Sequence, residues 1–289
     1  RSLAGQNILL DELNAELKTT LLLSAIFSSG TTIITESKQT RDHTERLLAG
    51  FNYPLTMDEG GIRLCGRGEM LAQELELPGD FTLAFYFIVA ASIQPGSDLL
   101  LQHVGMNDGR IRALAILQRM GAQVEVQDYH RIVNEWVADL RIQGSELRGP
   151  ELQGFAINAE DCIRASEELP ALLVAACFAR SYSRISDVRC LPATVQKLLR
   201  DCIQALMAMG SAIEMLDNEI IIRPHPGNAM DEKTEAPKHP GSALACIILA
   251  NRLGTSVNLL NCAGLFAFYP QIIPMANKVG FKISTDNNQ

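Results

Sequence analysis

The chain has 289 residues, of which 47% are hydrophobic, and it carries a formal net charge of −8. A chain of this length and composition can bury one or two substantial cores, which excludes a largely disordered protein. The acidic balance excludes a global positive field that would attract nucleic acid or an anionic membrane, so an anionic ligand would have to be held by local Arg or Lys side chains.

The first predicted unit combines an apolar helix, a strand and a second helix. Residues 17–27 are mostly apolar and are followed by Gly30, which suits the turn after a helix because glycine readily adopts the left-handed conformation. The β-branched run at residues 31–35 predicts a half-buried strand. The charged segment at residues 40–48 predicts the second helix.

The order of helix, strand, helix and strand recurs three more times, with copies that begin about 65 to 90 residues apart. The second copy begins at residue 81, the third at residue 169 and the fourth at residue 243, and the last copy is expected to finish with residues 279–283. The sequence therefore predicts an α/β fold built from four tandem units.

One helix in each unit is apolar nearly all round, which is typical of a helix buried on every side. We therefore expect the helices to pack inside and the sheets to lie outside. The four helices are at residues 17–27, 83–91, 169–178 and 243–249.

The seven cysteines include no C-x-x-C pair, and most of them lie within apolar runs. Their odd number and irregular spacing favour buried thiols in a reducing compartment over disulfides or a zinc site. No apolar stretch reaches the length of about 18 residues that a membrane helix needs, and no basic and apolar leader opens the sequence. We expect a soluble, cytoplasmic protein without a metal or other cofactor, and without a nucleic-acid or membrane partner.

Several motifs occur in an order that resembles one family. They are Gly-Thr-Thr at 30–32, Thr-Arg-Asp-His-Thr-Glu-Arg at 40–46, Pro-Gly-Asp-Phe at 78–81, Pro-Gly-Ser at 95–97, Val-Gly-Met-Asn-Asp-Gly-Arg at 104–110 and Glu-Glu-Leu-Pro-Ala-Leu at 167–172. Together they resemble EPSP synthase, the enolpyruvyl transferase of chorismate and aromatic amino-acid biosynthesis. The resemblance covers nearly the whole chain and is densest over residues 14–126.

The resemblance implies two domains of inverse βαβαββ units that close over shikimate-3-phosphate and phosphoenolpyruvate. By this comparison, residues 1–78 are the last unit of the first domain and residues 79–289 are the three units of the second. The turn-forming cluster at residues 77–80 marks the boundary between them. Because the family's N-terminal substrate loops are absent from this sequence, which starts with Arg1, we expect the rest of a longer polypeptide or a partner protein to complete it.

The resemblance assigns Arg41 to the family's shikimate-phosphate arginine. Thr40 can cap the following helix and Asp42 favours the positive end of that helix, which would leave Arg41 free to bind an anion. From composition alone, a solvated arginine at a helix start is the alternative. His43 and Glu45 are expected to be structural and to pair locally near the helix start.

A second part of the implied substrate site lies at Asn14, Ala15 and Glu16. They match the segment whose glutamine helps to hold both substrates in the family. A glutamate at this position puts a negative charge beside two anions and should repel them. Lys18 follows closely but is expected to be a solvated charge, outside the ligand shell.

Glu167 matches the acidic residue proposed in the family as the base near the shikimate hydroxyl. Three other groups that the family uses on phosphoenolpyruvate have no counterpart here. The segment with the family's Lys-Glu pair aligns with residues 193–198, which lack the Glu, while Gly241 replaces an arginine and Ala267 replaces a lysine. Losing several charged groups from such a site should abolish useful turnover.

Two hypotheses therefore stay open. In the first, the chain belongs to a longer enzyme that still transfers enolpyruvate with Arg41 and Glu167, and with Lys197, Arg200 or Lys238 as substitute cations. In the second, it is a catalytically impaired or inactive domain, or a non-catalytic scaffold that binds a ligand or partner. The missing groups favour the second hypothesis and the retained motif at residues 41–45 favours the first. The related transferase that acts on UDP-N-acetylglucosamine fits less well, because its cysteine loop is not found.

Overall fold

The computed structural model describes residues 3–144, 152–227 and 233–285, which form two compact units. Of the described residues, unit 1 contains those in the ranges 1–81, 102–111 and 127–139, and unit 2 contains those in the ranges 82–101, 112–126 and 140–289. The expected division into domains at 1–78 and 79–289 stays a prediction.

The first six elements lie in unit 1 and follow the order βαβαββ. They are β1 (Asn7–Leu10), α1 (Ala15–Ile26), β2 (Thr31–Glu36), α2 (His43–Gly50), β3 (Leu55–Asp58) and β4 (Gly61–Cys65). The strand order is β1-β2-β4-β3, with β1 parallel to β2 and the other neighbours antiparallel. Because alternate residues of a strand face the same side, Ile34 of β2 and Leu64 of β4 pack with Leu22 of α1 in a common core.

The next five elements are α3 (Phe81–Ile93), β5 (Asp98–Gly105), α4 (Arg112–Arg119), β6 (Gln123–Ile132) and β7 (Glu135–Gln143). Their strands form a sheet in the order β5-β7-β6. Gly79 adds a parallel bridge to Val104, which places a short extended segment before α3. This is the second repeat of the predicted order.

The third repeat contains β8 (Ala156–Ile157), α5 (Ala159–Arg164), α6 (Leu169–Cys177), β9 (Ser183–Ser186), α7 (Ala193–Ala208), β10 (Ile213–Met215) and β11 (Glu219–Ile222). Its strand order is β10-β11-β9-β8, with β8 parallel to β9. The fourth contains β12 (Lys233–Glu235), α8 (Pro240–Leu253), β13 (Asn258–Leu260), α9 (Ala263–Phe268) and α10 (Ile272–Lys278). The four-unit α/β prediction is confirmed.

The closing strand expected within residues 279–283 does not form. Residues 281–285 are neither helical nor extended in a ladder. The Asn277 side chain bonds both backbone groups of Ile283, donating from Nδ2 to its O and accepting at Oδ1 from its N, each at 2.8 Å. These bonds take the backbone groups that a neighbouring strand would have used.

Burial of the apolar helices is confirmed in unit 2 and holds only in part for α1. All nine residues of α6 are buried, and α3 and α8 are buried along most of their length. In α1, Leu17 and Leu23 are 44% and 47% exposed. The sheet of unit 1 covers one face of α1, so a helix that is apolar all round keeps apolar side chains on its other face.

The described helices are too short or too polar to cross a bilayer. The longest, α7, has 16 residues and carries charged side chains such as Lys197, Arg200 and Asp201, whereas a membrane span needs about 20 apolar residues. The expected cytoplasmic location stays a prediction.

Candidate functional site

Arg41 lies in the segment that joins β2 to α2 in unit 1. Thr40 does not cap α2, because its backbone N and its Oγ1 both donate to Glu36 Oε1, at 3.1 and 2.5 Å. The N-cap residue of α2 is Asp42, whose side chain makes no capping hydrogen bond. The expectation that Thr40 caps the helix is wrong, since the Glu36 carboxylate at the end of β2 takes both of its donors.

The Arg41 guanidinium is paired with the Glu16 carboxylate. Glu16 stands in the first turn of α1, where the helix dipole favours a negative charge. Asn14 Oδ1 caps this helix by accepting from Leu17 N at 2.9 Å, and Ala15 is its first residue. The expectation of a free Arg41 is therefore wrong: a carboxylate of the same chain already occupies it. The substrate-binding roles of Asn14, Ala15, Glu16 and Arg41 stay predictions.

A buried amide connects the residues that follow Arg41. Asn107 is 2% exposed and donates from Nδ2 to Asp42 Oδ1 at 2.7 Å. Arg46 Nε donates to the same carboxylate oxygen at 2.8 Å. Burial works against ionisation of Asp42, but the hydrogen bonds from Arg46 and Asn107 outweigh it and lower the pKa of Asp42. Asp42 is therefore held as an ionised acceptor at the start of α2.

The Asn107 side chain also lies 3.4 Å from Glu135 Oε2, and Glu135 Oε1 is 2.7 Å from His43 Nδ1. Sequence reasoning missed both partners. Asn107 could have been found, because it stands in the Val-Gly-Met-Asn motif that carries part of the resemblance. Glu135 gave no such signal. The expectation that His43 pairs locally is wrong, since its partner, Glu135, lies 92 residues further along the chain.

The motif at residues 104–110 also contains a glycine that lies against Arg41. A Cβ atom on Gly109 would lie 2.6 Å from Arg41 Cα, so only glycine lets the two backbones approach this closely. Gly109 N also donates to Asn107 Oδ1 at 3.0 Å. The two motifs at residues 40–46 and 104–110 thus meet in unit 1.

Lys18 is buried and paired with carboxylates, whereas the sequence predicted a solvated charge. It is 1% exposed, and its Nζ lies 2.7 Å from Glu45 Oε1 and 3.0 Å from Glu36 Oε2. Desolvation raises the pKa of Glu45, although the Lys18 contact lowers it in part. A lysine in an apolar helix was expected to be solvated, but Lys18 points inward because β2 and α2 each provide a carboxylate there. Glu36 also holds Thr40, so this cluster fixes the start of the segment that carries Arg41.

Glu167 belongs to unit 2 and directly precedes Glu168, the N-cap residue of α6. Its Oε2 lies 3.6 Å from His239 Nε2, and its backbone O accepts from the Tyr86 hydroxyl at 2.9 Å. The Glu167 side chain is 52% exposed. No sequence pattern pointed to His239, which is the N-cap residue of α8. The role of Glu167 as a base stays a prediction.

A family model described as EPSP synthase (3-phosphoshikimate 1-carboxyvinyltransferase) matches residues 2–236. The 3-phosphoshikimate 1-carboxyvinyltransferase of Legionella pneumophila (strain Paris) is 31% identical over 283 residues, which cover 98% of this chain and 64% of the relative. That of Halorhodospira halophila is 33% identical over 293 residues, covering 98% of this chain and 63% of the relative.

Solved structures of enolpyruvyl transferases also match this chain. EPSP synthase from Acinetobacter baumannii superposes with a TM-score of 0.84 at 27% identity, covering 99% of this chain and 64% of that one. The enolpyruvyl transferase NikO from Streptomyces tendae shares the fold, with a TM-score of 0.70 at 18% identity, over 92% of this chain and 59% of NikO. The chain thus spans a little under two thirds of the length of these proteins.

Proposed function

Because this chain belongs to the EPSP synthase family, we propose that it is a domain of the enolpyruvyl transferase type in which transfer from phosphoenolpyruvate to shikimate-3-phosphate is impaired or lost. The ion pair between Arg41 and Glu16 carries this proposal. A phosphate that binds Arg41 must first displace the Glu16 carboxylate, and the displaced carboxylate then repels it.

The sequence of unit 2 supports the same conclusion for phosphoenolpyruvate. Gly241 and Ala267 stand where the family has cations, and neither residue can pair with a carboxylate or phosphate. Lys197, a possible substitute, is 72% exposed and pairs with Asp201 one helical turn further along α7. Charged donors in such sites provide much of the stabilisation of the transition state, so their loss slows the reaction steeply.

Phosphate release from phosphoenolpyruvate in the presence of shikimate-3-phosphate tests the catalytic part. The Legionella relative, assayed beside this chain, is the positive control. Each lost donor costs about 10² to 10³ in kcat, so we expect no release above the uncatalysed background. Turnover within about a hundredfold of the control would overturn the proposal and support an active enzyme with substitute cations.

Calorimetry with shikimate-3-phosphate tests the role of Glu16. We expect weak binding by the parent chain, and binding up to about 30 times tighter by Glu16→Gln, because breaking the exposed pair costs up to about 1 kcal/mol and repulsion by the displaced carboxylate adds about 1 kcal/mol. Arg41→Ala should abolish the gain. Glu12→Gln is the matched control, since it removes the same charge from an exposed residue just before α1.

The binding results also separate the two open hypotheses. Binding without turnover supports a ligand-binding domain that has lost catalysis. An equal gain in Glu12→Gln would mean that net charge, and not the pair with Arg41, governs affinity. Absence of binding by the parent and by Glu16→Gln would rule out a surviving shikimate-3-phosphate site.

A further inference from the structure

Gly241 of α8 and Tyr86 of α3 lie against each other inside unit 2. Gly241 is buried in the first turn of α8, directly after Pro240. A Cβ atom on Gly241 would overlap the Tyr86 hydroxyl oxygen and would lie 3.0 Å from Tyr86 Cζ and 3.1 Å from His239 Cε1. Because carbon atoms pack at about 3.5 to 4.0 Å, the tyrosine occupies the space that any side chain at residue 241 would need.

A hydrogen bond holds the Tyr86 hydroxyl in this position. The hydroxyl donates to the backbone O of Glu167 at 2.9 Å, and the side chain is only 2% exposed. Burial, followed by the nearby Cys202 and Glu168, raises the pKa of Tyr86 well above its usual value. The hydroxyl therefore keeps its proton, and with it the hydrogen bond, at neutral pH.

An apolar cavity beside Tyr86 offers the hydroxyl no second position. Apart from Tyr86, the cavity is lined by apolar side chains such as Leu244, Ile248, Ile272 and Phe281. These side chains contain no hydrogen-bond acceptor, so a hydroxyl that turned into the cavity would be buried without a partner, which is unfavourable. A side chain at residue 241 would therefore have to displace the tyrosine ring at the expense of its hydrogen bond.

We propose that Tyr86 excludes a cationic side chain from residue 241 and thereby closes a subsite for the carboxylate of phosphoenolpyruvate. The resemblance to the family implies an arginine at this position, and the glycine alone accounts only for the missing charge. Because the tyrosine hydroxyl also fills the space, a substitution at residue 241 alone cannot restore the contact. The inference rests on the proposed function for the identity of the ligand, and it concerns binding only.

Urea unfolding of the parent, Gly241→Ala, Tyr86→Phe and the double variant tests the overlap, with far-UV circular dichroism as the signal. Alanine is normally favoured over glycine in a helix, so without the overlap Gly241→Ala would raise the urea midpoint. We expect the midpoint to fall instead. In the Tyr86→Phe background, which lacks the overlapping oxygen, it should fall about half as far or less.

Gly254→Ala is the control at the other end of α8. Gly254 has a φ of +67°, and no described atom lies within 4 Å of the Cβ that alanine would add. Its penalty comes from backbone strain and should be the same with Tyr86 or with Tyr86→Phe. A higher midpoint in Gly241→Ala, or an equal fall in both backgrounds, would contradict the overlap.

Calorimetry with phosphoenolpyruvate tests the exclusion of a cation. We expect Gly241→Arg combined with Tyr86→Phe to bind phosphoenolpyruvate about tenfold tighter than Tyr86→Phe alone, because a charge-assisted contact with the carboxylate becomes possible. Gly241→Arg alone should show no gain over the parent. Asn251→Arg combined with Tyr86→Phe is the matched control, since it adds the same charge at an exposed position of α8.

Three results would overturn the proposal. They are an equal gain from Gly241→Arg with Tyr86 in place, an equal gain in the Asn251→Arg control, and no gain in any variant. Failure of the proposed function would appear separately, as rapid phosphate release by the parent chain, which carries Gly241. It would leave the unfolding results unchanged.

Discussion

The two units bury their helices with different chemistry. In unit 1, α1 turns a lysine inward, where carboxylates from β2 and α2 hold it. In unit 2, α6 is buried along its whole length and contains no charged residue. A buried charge depends on its partners, whereas an apolar side chain depends on the volume that it fills. Repeats of similar topology can therefore respond differently to substitution, and the predictions below test this difference.

The largest effect is expected from Lys18→Ala in unit 1. It leaves Glu36 and Glu45 facing a void without a cation, and breaking a buried ion pair in this way costs about 3 to 5 kcal/mol. The fluorescence of Trp136, the single tryptophan, follows urea unfolding of unit 1. Arg63→Ala is the control, because it breaks an exposed pair with Asp58 that is worth about 0.2 to 1 kcal/mol. Equal losses in the two variants would contradict a structural role for the Lys18 cluster.

The apolar core of unit 2 should be the next most sensitive region. Leu172 in α6 has no exposed surface, so Leu172→Ala should lower the free energy of unfolding by about 2 to 5 kcal/mol. Leu172→Met nearly conserves volume and should cost less than about 1.5 kcal/mol. Far-UV circular dichroism measures both, because Trp136 lies in unit 1.

Leu23→Ala provides the comparison with the partly exposed helix α1. The side chain is 47% exposed, so truncating it should cost clearly less than Leu172→Ala. A larger loss for Leu23→Ala would mean that the open face of α1 is covered by something in solution.

The contributions of two unit 1 carboxylates to the free energy of unfolding should depend on pH in opposite directions. Burial raises the pKa of Glu45 above 4.5, so its contribution to stability is fully present below pH 4.5 and is lost as the pH rises through the folded-state pKa. The pKa of Asp42 is lowered below 3.8, so its contribution is present above pH 3.8 and is lost as the pH falls.

Urea midpoints across the pH range measure both contributions. The stability difference between the parent and Glu45→Gln should shrink with rising pH above 4.5, and that between the parent and Asp42→Asn should grow as the pH rises from the acid side towards 3.8. If both differences changed in the same direction with pH, the assignment of these two environments would be wrong.

The sequence predicted what depends on pattern and missed what depends on long-range contacts. The order of the units and the buried helices α3, α6 and α8 follow from apolar runs and β-branched strands, which act locally. The inward turn of Lys18 could not be predicted, because its carboxylates come from elements 18 and 27 residues further along the chain. The contact between His239 and Glu167 depends in the same way on how α6 packs against α8.

In the candidate site, too, the residues could be predicted from sequence patterns and their contact could not. Arg41 and Glu16 were both identified from motifs, and the glutamate was expected to oppose anion binding by repulsion. Their direct pairing could not be predicted, because motif matching gives positions in the chain and no distances. The structure thus replaces a general repulsion with a specific contact, which a single substitution can remove.

The smallest expected change in stability comes from Glu16→Gln, and it separates a functional pair from a structural one. Glu16 is 72% exposed and Arg41 is 29% exposed, so solvent screens their attraction and losing the pair should cost no more than about 1 kcal/mol. The same substitution should tighten shikimate-3-phosphate binding by up to about 30-fold, because the phosphate then has no carboxylate to displace and none that repels it. Unfolding and calorimetry on one sample measure both effects. A large loss of stability without a gain in affinity would show that Glu16 and Arg41 hold α1 in place and do not control an anion site.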